Sequence, residues 1–197
     1  SIISQLKVCD KLNAGGLVIH ISKKSPTDVL KTCSLLAPYV KKFHTPILFE
    51  MAAKKPDGDL TYETPQKINN LNTIILKNLP NFNFGWCIDT AHLFSAGVDI
   101  NSPSIMKKWL DTIHHKMLIK LIHLNGLSLE QFNTGKDLHQ IPFSQDDGIW
   151  KRVTKKNIKK SSIFHIVQFV KKNNIDIILE VNRGEYKDIV YALNILT

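Results

Sequence analysis

The sequence has little cysteine, and its cysteines are not spaced as a zinc finger or a disulfide framework. The 197 residues include three cysteines, Cys9, Cys33 and Cys87, and no two of them form a C-x-x-C pair. An odd number without that spacing argues against both kinds of cysteine-based structure. A metal ion in this protein must therefore use histidine and carboxylate ligands.

Long apolar runs are also absent. No stretch approaches the roughly 20 apolar residues that a membrane helix needs, and the N-terminal stretch SIISQLKVCD has no basic region followed by an apolar core. We therefore expect a soluble, intracellular protein. A hydrophobic fraction of 43% and a charged fraction of 22% are typical of one globular domain with a sizeable core.

Arginine is scarce although the chain is basic. Only Arg152 and Arg183 among the 26 basic residues are arginine, and the formal net charge is +9. Such a charge favours a polyanionic partner such as nucleic acid, because basic side chains on phosphates release counterions. The densest basic run, residues 151–160, has six basic residues in ten. It is either a solvated surface segment or a phosphate contact, and the sequence does not decide between them.

Five short apolar segments are predicted to be buried parallel strands. They are residues 16–21, 46–51, 84–90, 119–124 and 175–181. Each is almost continuously apolar, which is typical of strands covered on both faces. Between them, a capping residue precedes proline at Ser25, Thr64 and Ser102, where we expect helices to begin. The alternation of strands and helices predicts an α/β fold with a parallel sheet.

Each predicted strand carries one potential metal ligand near its carboxyl end. These side chains are His20, Glu50, Asp89, His123 and Glu180. Their separations of 30, 39, 34 and 57 residues are close to the roughly 31 residues per unit of a TIM-type (β/α) barrel, with one long loop before the last strand. One such residue at a strand end is usually structural, but five in series predict a shared site at the barrel mouth.

Five units are fewer than the eight of a closed barrel. The sequence also begins with an amphipathic helical pattern, SIISQLKVCDKL, instead of a strand. We therefore expect an incomplete TIM-type barrel, in which residues 1–197 are the C-terminal portion of a single barrel domain. A missing N-terminal segment or a second chain is expected to cover the exposed sheet edges.

Two Asp–His pairs add further potential ligands. GWCIDTAHLFSAG sets His92 three residues after Asp89, and GKDLHQ sets His139 two residues after Asp137, a spacing that points both side chains to one side of an extended loop. A polar strand end that caps a helix is the commoner interpretation of an isolated pair. The eight candidate metal ligands are His20, Glu50, Asp89, His92, His123, Asp137, His139 and Glu180. Four imidazoles and four carboxylates favour zinc over manganese, shared among two or three ions, and in a cationic protein they favour phosphodiester hydrolysis.

The same segments resemble the endonuclease IV family. FGWCIDTAHLFSAGVDI resembles its G-x-x-x-D-T-x-H-x-x-x-x-G segment, IHLNG its H-L-N-D, KDLH its D-R-H and IILEVN its closing I-L-E-T. LVIHIS and ILFEMA are similar to its H-P-G and L-E-N strand ends. The resemblance spans nearly the whole chain in order. The sequence looks most like the versions found in large DNA viruses. It implies a barrel enzyme with up to three zinc ions that cuts DNA on the 5′ side of abasic sites in base excision repair.

The resemblance also implies roles for individual residues. Glu50 would bridge two zinc ions, and His20 would bind the first of them, whose further histidine ligand in the family has no counterpart here. The second zinc would be bound by Asp89, His123 and Glu180, and the third by His92, Asp137 and His139. Glu180 would also orient the attacking hydroxide, so Glu180 and Glu50 are the predicted catalytic residues. Gly126 and Leu138 replace the family's Asp and Arg.

Four residues are predicted to contact DNA, each with a simpler alternative. Lys54 and Lys55 follow the second strand, and Lys136 is a candidate to replace the family's arginine as a phosphate contact. Trp150 is a candidate to stack on a base or sugar. The alternatives are solvated lysines and a core tryptophan.

Two other functions stay open at this point. A metal-dependent sugar isomerase or epimerase can use the same class of barrel, because a fold does not determine a function. A catalytically inactive relative that binds zinc or DNA is the other alternative. The isomerase alternative does not require the third group of ligands.

Overall fold

Strands and helices alternate along the chain in the computed structural model, which describes residues 1–21, 24–53, 61–143, 148–180 and 186–196. The elements are α1 (Ile2–Lys11), β1 (Leu17–His20), α2 (Pro26–Phe43), β2 (Ile47–Glu50), α3 (Pro65–Asn78), β3 (Phe84–Asp89), α4 (Thr90–Ser95), α5 (Pro103–Thr112), β4 (Ile119–His123), α6 (Ser162–Asn173), β5 (Asp176–Ile178) and α7 (Tyr186–Leu196). All five predicted strands and the N-terminal helix are present.

The strands form one parallel sheet in chain order, β1-β2-β3-β4-β5. Every residue of β2 and β3 is buried, whereas β1 and β5 are the more exposed edge strands of the described sheet. This explains why the central strands are apolar throughout. The predicted α/β class is confirmed. That residues 1–197 are the C-terminal portion of one barrel domain stays a prediction.

Serine and threonine caps start two of the three helices as expected. The hydroxyl of Ser25 accepts a hydrogen bond from the amide of Asp28, and that of Thr64 accepts one from the amide of Lys67. α5 also begins at the predicted proline, but Ser102 makes no side-chain cap. Its hydroxyl instead lies 3.1 Å from that of Ser104.

The three tryptophans lie in the core and satisfy their indole N–H groups there. Trp86 donates to Asn72 Oδ1 at 2.8 Å, and Trp109, which is 5% exposed, donates to the carbonyl of Glu63. Trp150 is 2% exposed, and its indole donates to the Ser162 hydroxyl at 2.9 Å. The prediction that Trp150 stacks on DNA is therefore wrong, because its ring is enclosed by protein.

Across the described residues, no helix combines the length and the apolar character needed to cross a bilayer.

Candidate metal centre

The candidate ligands lie together at the carboxyl edge of the sheet. His20, Glu50, Asp89 and His123 are the last residues of β1 to β4, and the register places His20 beside Glu50 and Asp89 beside His123. Glu180 lies two residues beyond the end of β5. Because neighbouring parallel strands end at the same edge, these side chains converge as the sequence predicted.

The cluster has a buried floor and an open rim. The floor consists of Glu50, Asp89, His92 and His123, which are each at most 6% exposed. On the rim, the side chains of His20, Asp137 and Glu180 are 53%, 61% and 47% exposed. A ligand can therefore reach the cluster from the open side while the floor stays away from bulk water.

Glu50 lies between two groups of potential ligands. Its Oε1 is 3.0 Å from Nδ1 of His123, and its Oε2 is 3.3 Å from Nε2 of His20. Each carboxylate oxygen thus points toward a different imidazole. This is the arrangement required of a carboxylate that bridges two metal ions.

The group around His123 joins donors from four strand ends. Nδ1 of His123 lies 2.9 Å from Oε2 of Glu180 and 3.7 Å from Oδ2 of Asp89, in addition to its contact with Glu50. Potential ligand atoms of all four residues lie within 4.8 Å of one another. Tetrahedral coordination at about 2.0–2.1 Å sets neighbouring ligand atoms roughly 3.3 Å apart, so this spacing suits one ion.

A separate triangle of donors is formed by His92, Asp137 and His139. Oδ1 of Asp137 lies 2.9 Å from Nε2 of His92 and 3.2 Å from Nε2 of His139. The two Nε2 atoms are 3.4 Å apart. These three distances also match the spacing of ligands around one tetrahedral ion.

Backbone carbonyls orient the two histidines of this triangle. Nδ1 of His92 donates to the carbonyl of Met51 at 2.7 Å, and Nδ1 of His139 donates to the carbonyl of Glu180 at 2.9 Å. A carbonyl oxygen only accepts, so each Nδ1 carries a proton and each Nε2 is the nitrogen available to a metal. The main chain thus selects the nitrogen that faces the triangle.

The group around His20 is poorer in donors. His20, Glu50 and His92 lie within 4.8 Å of one another, but Nδ1 of His92 is already bonded to Met51. Within the described residues, His20 and Glu50 are then the two donors left to this group. That the first site lacks a histidine ligand stays a prediction.

Asp89 both caps a helix and contributes to the cluster. Its Oδ1 accepts the amide N–H of His92 at 2.9 Å and so begins α4. Its Oδ2 lies 3.6 Å from Nε2 of His139 and 3.7 Å from Nδ1 of His123. The capping and ligand interpretations of this pair are therefore compatible, because they use different oxygens.

Asn125 was not assigned a role from the sequence, yet it connects two candidate ligands. Its Nδ2 donates to Oδ2 of Asp89 at 2.6 Å, and its Oδ1 accepts from the amide N–H of Glu180 at 2.9 Å. Its backbone N–H donates a hydrogen bond to the Thr90 hydroxyl at 2.8 Å. The residue is fully buried. The sequence signal that could have identified this residue is an asparagine two residues after His123, because a buried amide side chain needs hydrogen-bond partners.

We expect Asn125→Ala to weaken metal binding about 10- to 100-fold, because outer-shell partners hold ligand carboxylates in place. Unpaired buried partners should also lower the free energy of unfolding by about 2 kcal/mol. Zinc titration and chemical denaturation measure the two effects.

Asn69→Ala is the matched control for this variant. The Asn69 amide also bridges two backbone groups, the carbonyl of Thr112 and the amide of His114, and it lies on α3. It should lose comparable stability and bind metal normally. Equal metal affinity in the two variants would contradict the positioning role of Asn125.

Gly126 and Leu138, which stand where the family motif has Asp and Arg, differ in their surroundings. Gly126 forms an antiparallel bridge with Gln140, and a Cβ there would lie 2.9 Å from the carbonyl oxygen of Ile141. Glycine therefore lets the segment that follows His139 approach β4 closely. Leu138 is 47% exposed.

The predicted lysine contacts are described only in part. Lys136 is exposed and directly precedes Asp137, and its carbonyl accepts the Ser95 hydroxyl at 2.7 Å. Lys54 and Lys55 lie outside the described residues. DNA contact by these three lysines stays a prediction.

The electrostatics of the cluster favour added positive charge. Burial disfavours a charged His92, but its hydrogen bond to Asp137 and the nearby carboxylates outweigh burial and raise its pKa to about 9. Burial likewise disfavours a charged His123, but its hydrogen bond with Glu50 and the nearby carboxylates outweigh burial and raise its pKa. The hydrogen bond with His92 lowers the pKa of Asp137. Within the described residues, the ion-pair partners of all four carboxylates are histidines.

This donor set fits zinc. The donors are imidazole nitrogens and carboxylate oxygens, and the negative charge lacks lysine or arginine partners among the described residues. Cys87 also lies near Glu50 and His123. Burial and the charges of Glu50 and Asp89 raise the pKa of its thiol, which disfavours the thiolate that a metal needs.

Known relatives resemble the chain over most of its length. No protein-family model matches it. A probable AP endonuclease of African swine fever virus is 27% identical over 194 residues, which are 96% of this chain and 62% of that protein. A probable endonuclease 4 of Persephonella marina is 28% identical over 151 residues, 71% of this chain and 50% of that protein. The chain therefore spans less than two thirds of the length of these relatives.

Solved structures also resemble the chain, and they identify its fold. The crystal structure of AsfvAP:AG matches with a TM-score of 0.79 at 27% identity, over 98% of this chain and 63% of that one. Endonuclease IV from Thermus thermophilus and a D-tagatose 3-epimerase-like protein both reach 0.67, at 16% and 15% identity, over 99% of this chain and 65% of theirs. At that identity the last two show the fold alone. The predicted barrel class is confirmed, and the chain is similar in sequence and in fold to proteins named AP endonuclease and endonuclease 4.

Proposed function

We propose that this chain acts as a zinc-dependent AP endonuclease, which hydrolyses the DNA phosphodiester 5′ to an abasic site in base excision repair. The observation that carries the proposal is the triangle of His92, Asp137 and His139 beside the four-residue group around His123. Two adjacent sites of this kind suit a phosphodiester, whose attacking and leaving oxygens both need stabilisation. The names of the viral and bacterial relatives support the same activity.

The proposed metal ligands are the eight residues predicted from the sequence. Zinc ions bound there supply Lewis acidity, which polarises phosphate oxygens and makes water a stronger acid. Glu50 would contribute a ligand to two of the sites, because its oxygens face His123 and His20. The carbonyls of Met51 and Glu180 keep Nε2 of His92 and His139 directed at Asp137.

Glu180 is the proposed positioning group for the attacking water. Its carboxylate is 47% exposed on the side chain, so it is the acid of the His123 group that solvent and substrate reach most easily. Its backbone amide is held by Asn125. The carboxylate therefore has a defined position at the rim, where it can accept a hydrogen bond from water and direct its lone pair.

The proposed substrate is double-stranded DNA with abasic sites. A formal net charge of +9 favours a polyanion. Lys136 stands on the loop that carries Asp137 and His139 and is proposed to contact a phosphate beside the reacting one. As a lysine it would act as a point charge and not as the two-pronged donor that arginine provides.

An epimerase is the second candidate, because the fold of the D-tagatose 3-epimerase-like protein is as close as that of endonuclease IV. A catalytically inactive relative is the third. Epimerisation does not require the His92, Asp137 and His139 triangle, which is why that triangle favours the nuclease. Turnover separates the active from the inactive alternatives.

We expect purified protein to hold about two zinc ions per chain, or about three if the poorer His20 group also fills. Chelation should stop cleavage of a duplex with one abasic site, and added zinc should restore it. His139→Ala should lose about one zinc and at least about 100-fold in rate, since the triangle loses a ligand. Elemental analysis and gel-based cleavage assays measure both.

His115→Ala is the control, because His115 is an exposed histidine beyond the end of α5. It should retain both zinc and rate. Undiminished cleavage in excess chelator would contradict the proposal. Bound zinc with ketose interconversion and no DNA cleavage would favour the epimerase, and bound zinc with neither reaction the inactive relative.

A further inference from the structure

A cleft of about 540 Å³ lies between the long loop after β4 and the first turns of α5 and α6. Leu129, Ile149 and Val153 are among its apolar lining residues. Arg152 and Lys160 are among its basic lining residues. None of the candidate metal ligands lines it. The cleft is therefore distinct from the metal centre.

The segment that bears these cations is held by its own hydrogen bonds. The Asn157 side chain donates to the carbonyl of Arg152 at 2.8 Å and accepts the amide of Thr154 at 2.7 Å. A short 3-10 helix, Ile158–Lys160, follows. Trp150 anchors the beginning of the segment in the core through Ser162. A backbone constrained in this way loses little conformational entropy of its own on binding.

The segment carries a concentrated positive charge. Arg152, Lys155, Lys156, Lys159 and Lys160 are all exposed. In the part of the chain that the structure describes, none of these five forms an ion pair with a carboxylate. Five neighbouring cations repel one another, so an anionic partner would relieve that repulsion.

The cleft lies at the carboxyl end of the strands, as the metal centre does. Pro103 and Ser161, at the starts of α5 and α6, line it, and helices that follow parallel strands begin at the carboxyl side of the sheet. Ser128 and Gly148 form a bridge close to the end of β4. The loop that brings Asp137 and His139 to the metal centre therefore continues into the wall of the cleft.

We propose that this cleft and its basic rim bind the phosphate backbone of duplex DNA away from the lesion. Arg152 and Lys160 both line this cleft, and paired cations suit a repeating polyanion, because each phosphate contact releases counterions. The choice of DNA, as opposed to an acidic protein, rests on the proposed function and on the location of both sites at the carboxyl end of the strands. The contact supplies affinity that is independent of sequence and of damage.

The test is binding of an intact duplex, with no abasic site, in the presence of a chelator. The double variant Arg152→Gln, Lys160→Gln is compared with the parent across a range of salt concentrations by fluorescence anisotropy. We expect Kd at about 100 mM salt to rise about tenfold or more. The slope of log Kd against log salt should fall by about 2, because two phosphate contacts are lost.

The matched control is Lys41→Gln, Lys171→Gln, which removes the same charge from exposed lysines in the last turns of α2 and α6. These turns lie at the opposite end of the helices, so Kd and slope should change little. Equal weakening in both double variants, or no weakening in the cleft variant, overturns the proposal. Weakened binding of polyglutamate with unchanged DNA binding also overturns it, in favour of an acidic protein partner.

The outcome is separable from that of the proposed function. Binding of an intact duplex in chelator needs neither metal nor cleavage. A parent protein that binds DNA through the cleft but never cuts abasic sites would contradict the nuclease activity alone. If the parent cuts abasic sites and the cleft variant binds intact DNA normally, only the proposed DNA binding by the cleft is contradicted.

Discussion

Glu180→Gln is expected to reduce cleavage at an abasic site by at least about 1000-fold while the fold is retained. Glutamine has nearly the same size but no charge, so the contact of 2.9 Å with Nδ1 of His123 loses its ionic character. The rim also loses the carboxylate proposed to orient water. Because the Glu180 amide stays bonded to Asn125 through the main chain, the local backbone should be unchanged. Single-turnover cleavage with saturating zinc measures the effect.

Glu130→Gln is a suitable control for this prediction. Glu130 is an exposed acid on the long loop after β4. Its substitution by glutamine removes the same charge as that of Glu180. It should cut at the parental rate. A Glu180→Gln protein that cuts as fast as the parent would falsify the role proposed for Glu180.

Glu50→Gln is expected to have an equally large effect on rate, but through loss of metal. A carboxylate presents two anionic oxygens, and those of Glu50 face His123 and His20. A glutamine presents one neutral oxygen and an NH₂ group that repels a cation, so it cannot bridge two ions. We expect the variant to lose at least about one zinc per chain and to cut at least about 1000-fold more slowly. Elemental analysis and single-turnover cleavage measure the two losses.

The two variants together distinguish chemistry from metal occupancy. Glu180→Gln should retain most of its zinc at saturating concentration, because Glu50, Asp89 and His123 still offer three ligands to its site and the triangle is unchanged. Glu50→Gln should stay deficient in zinc under the same conditions. A Glu50→Gln protein with the parental zinc content would contradict the bridging role, and circular dichroism in chelator shows whether either variant has lost its fold.

Much of the fold follows from local features of the sequence. Apolar runs became β1 to β5, and Ser25 and Thr64 cap the helices that begin at the following prolines. Such features are encoded within a few residues, so a sequence is enough to locate them. Ser102 shows the limit, since its hydroxyl turned to a neighbouring serine instead of the helix amides.

The sequence by itself determined which residues gather at the centre. Parallel strands end at one edge, so ligands at successive strand ends converge whatever the details of packing. The tertiary structure alone decided how they face each other, because those contacts join residues distant in sequence. It gave Glu50 its two partners, set Nε2 of His92 toward Asp137 through a carbonyl 41 residues away, and placed Asn125 between Asp89 and Glu180. It also enclosed Trp150 in the core. Such long-range geometry depends on how the whole chain packs, and no local pattern encodes it.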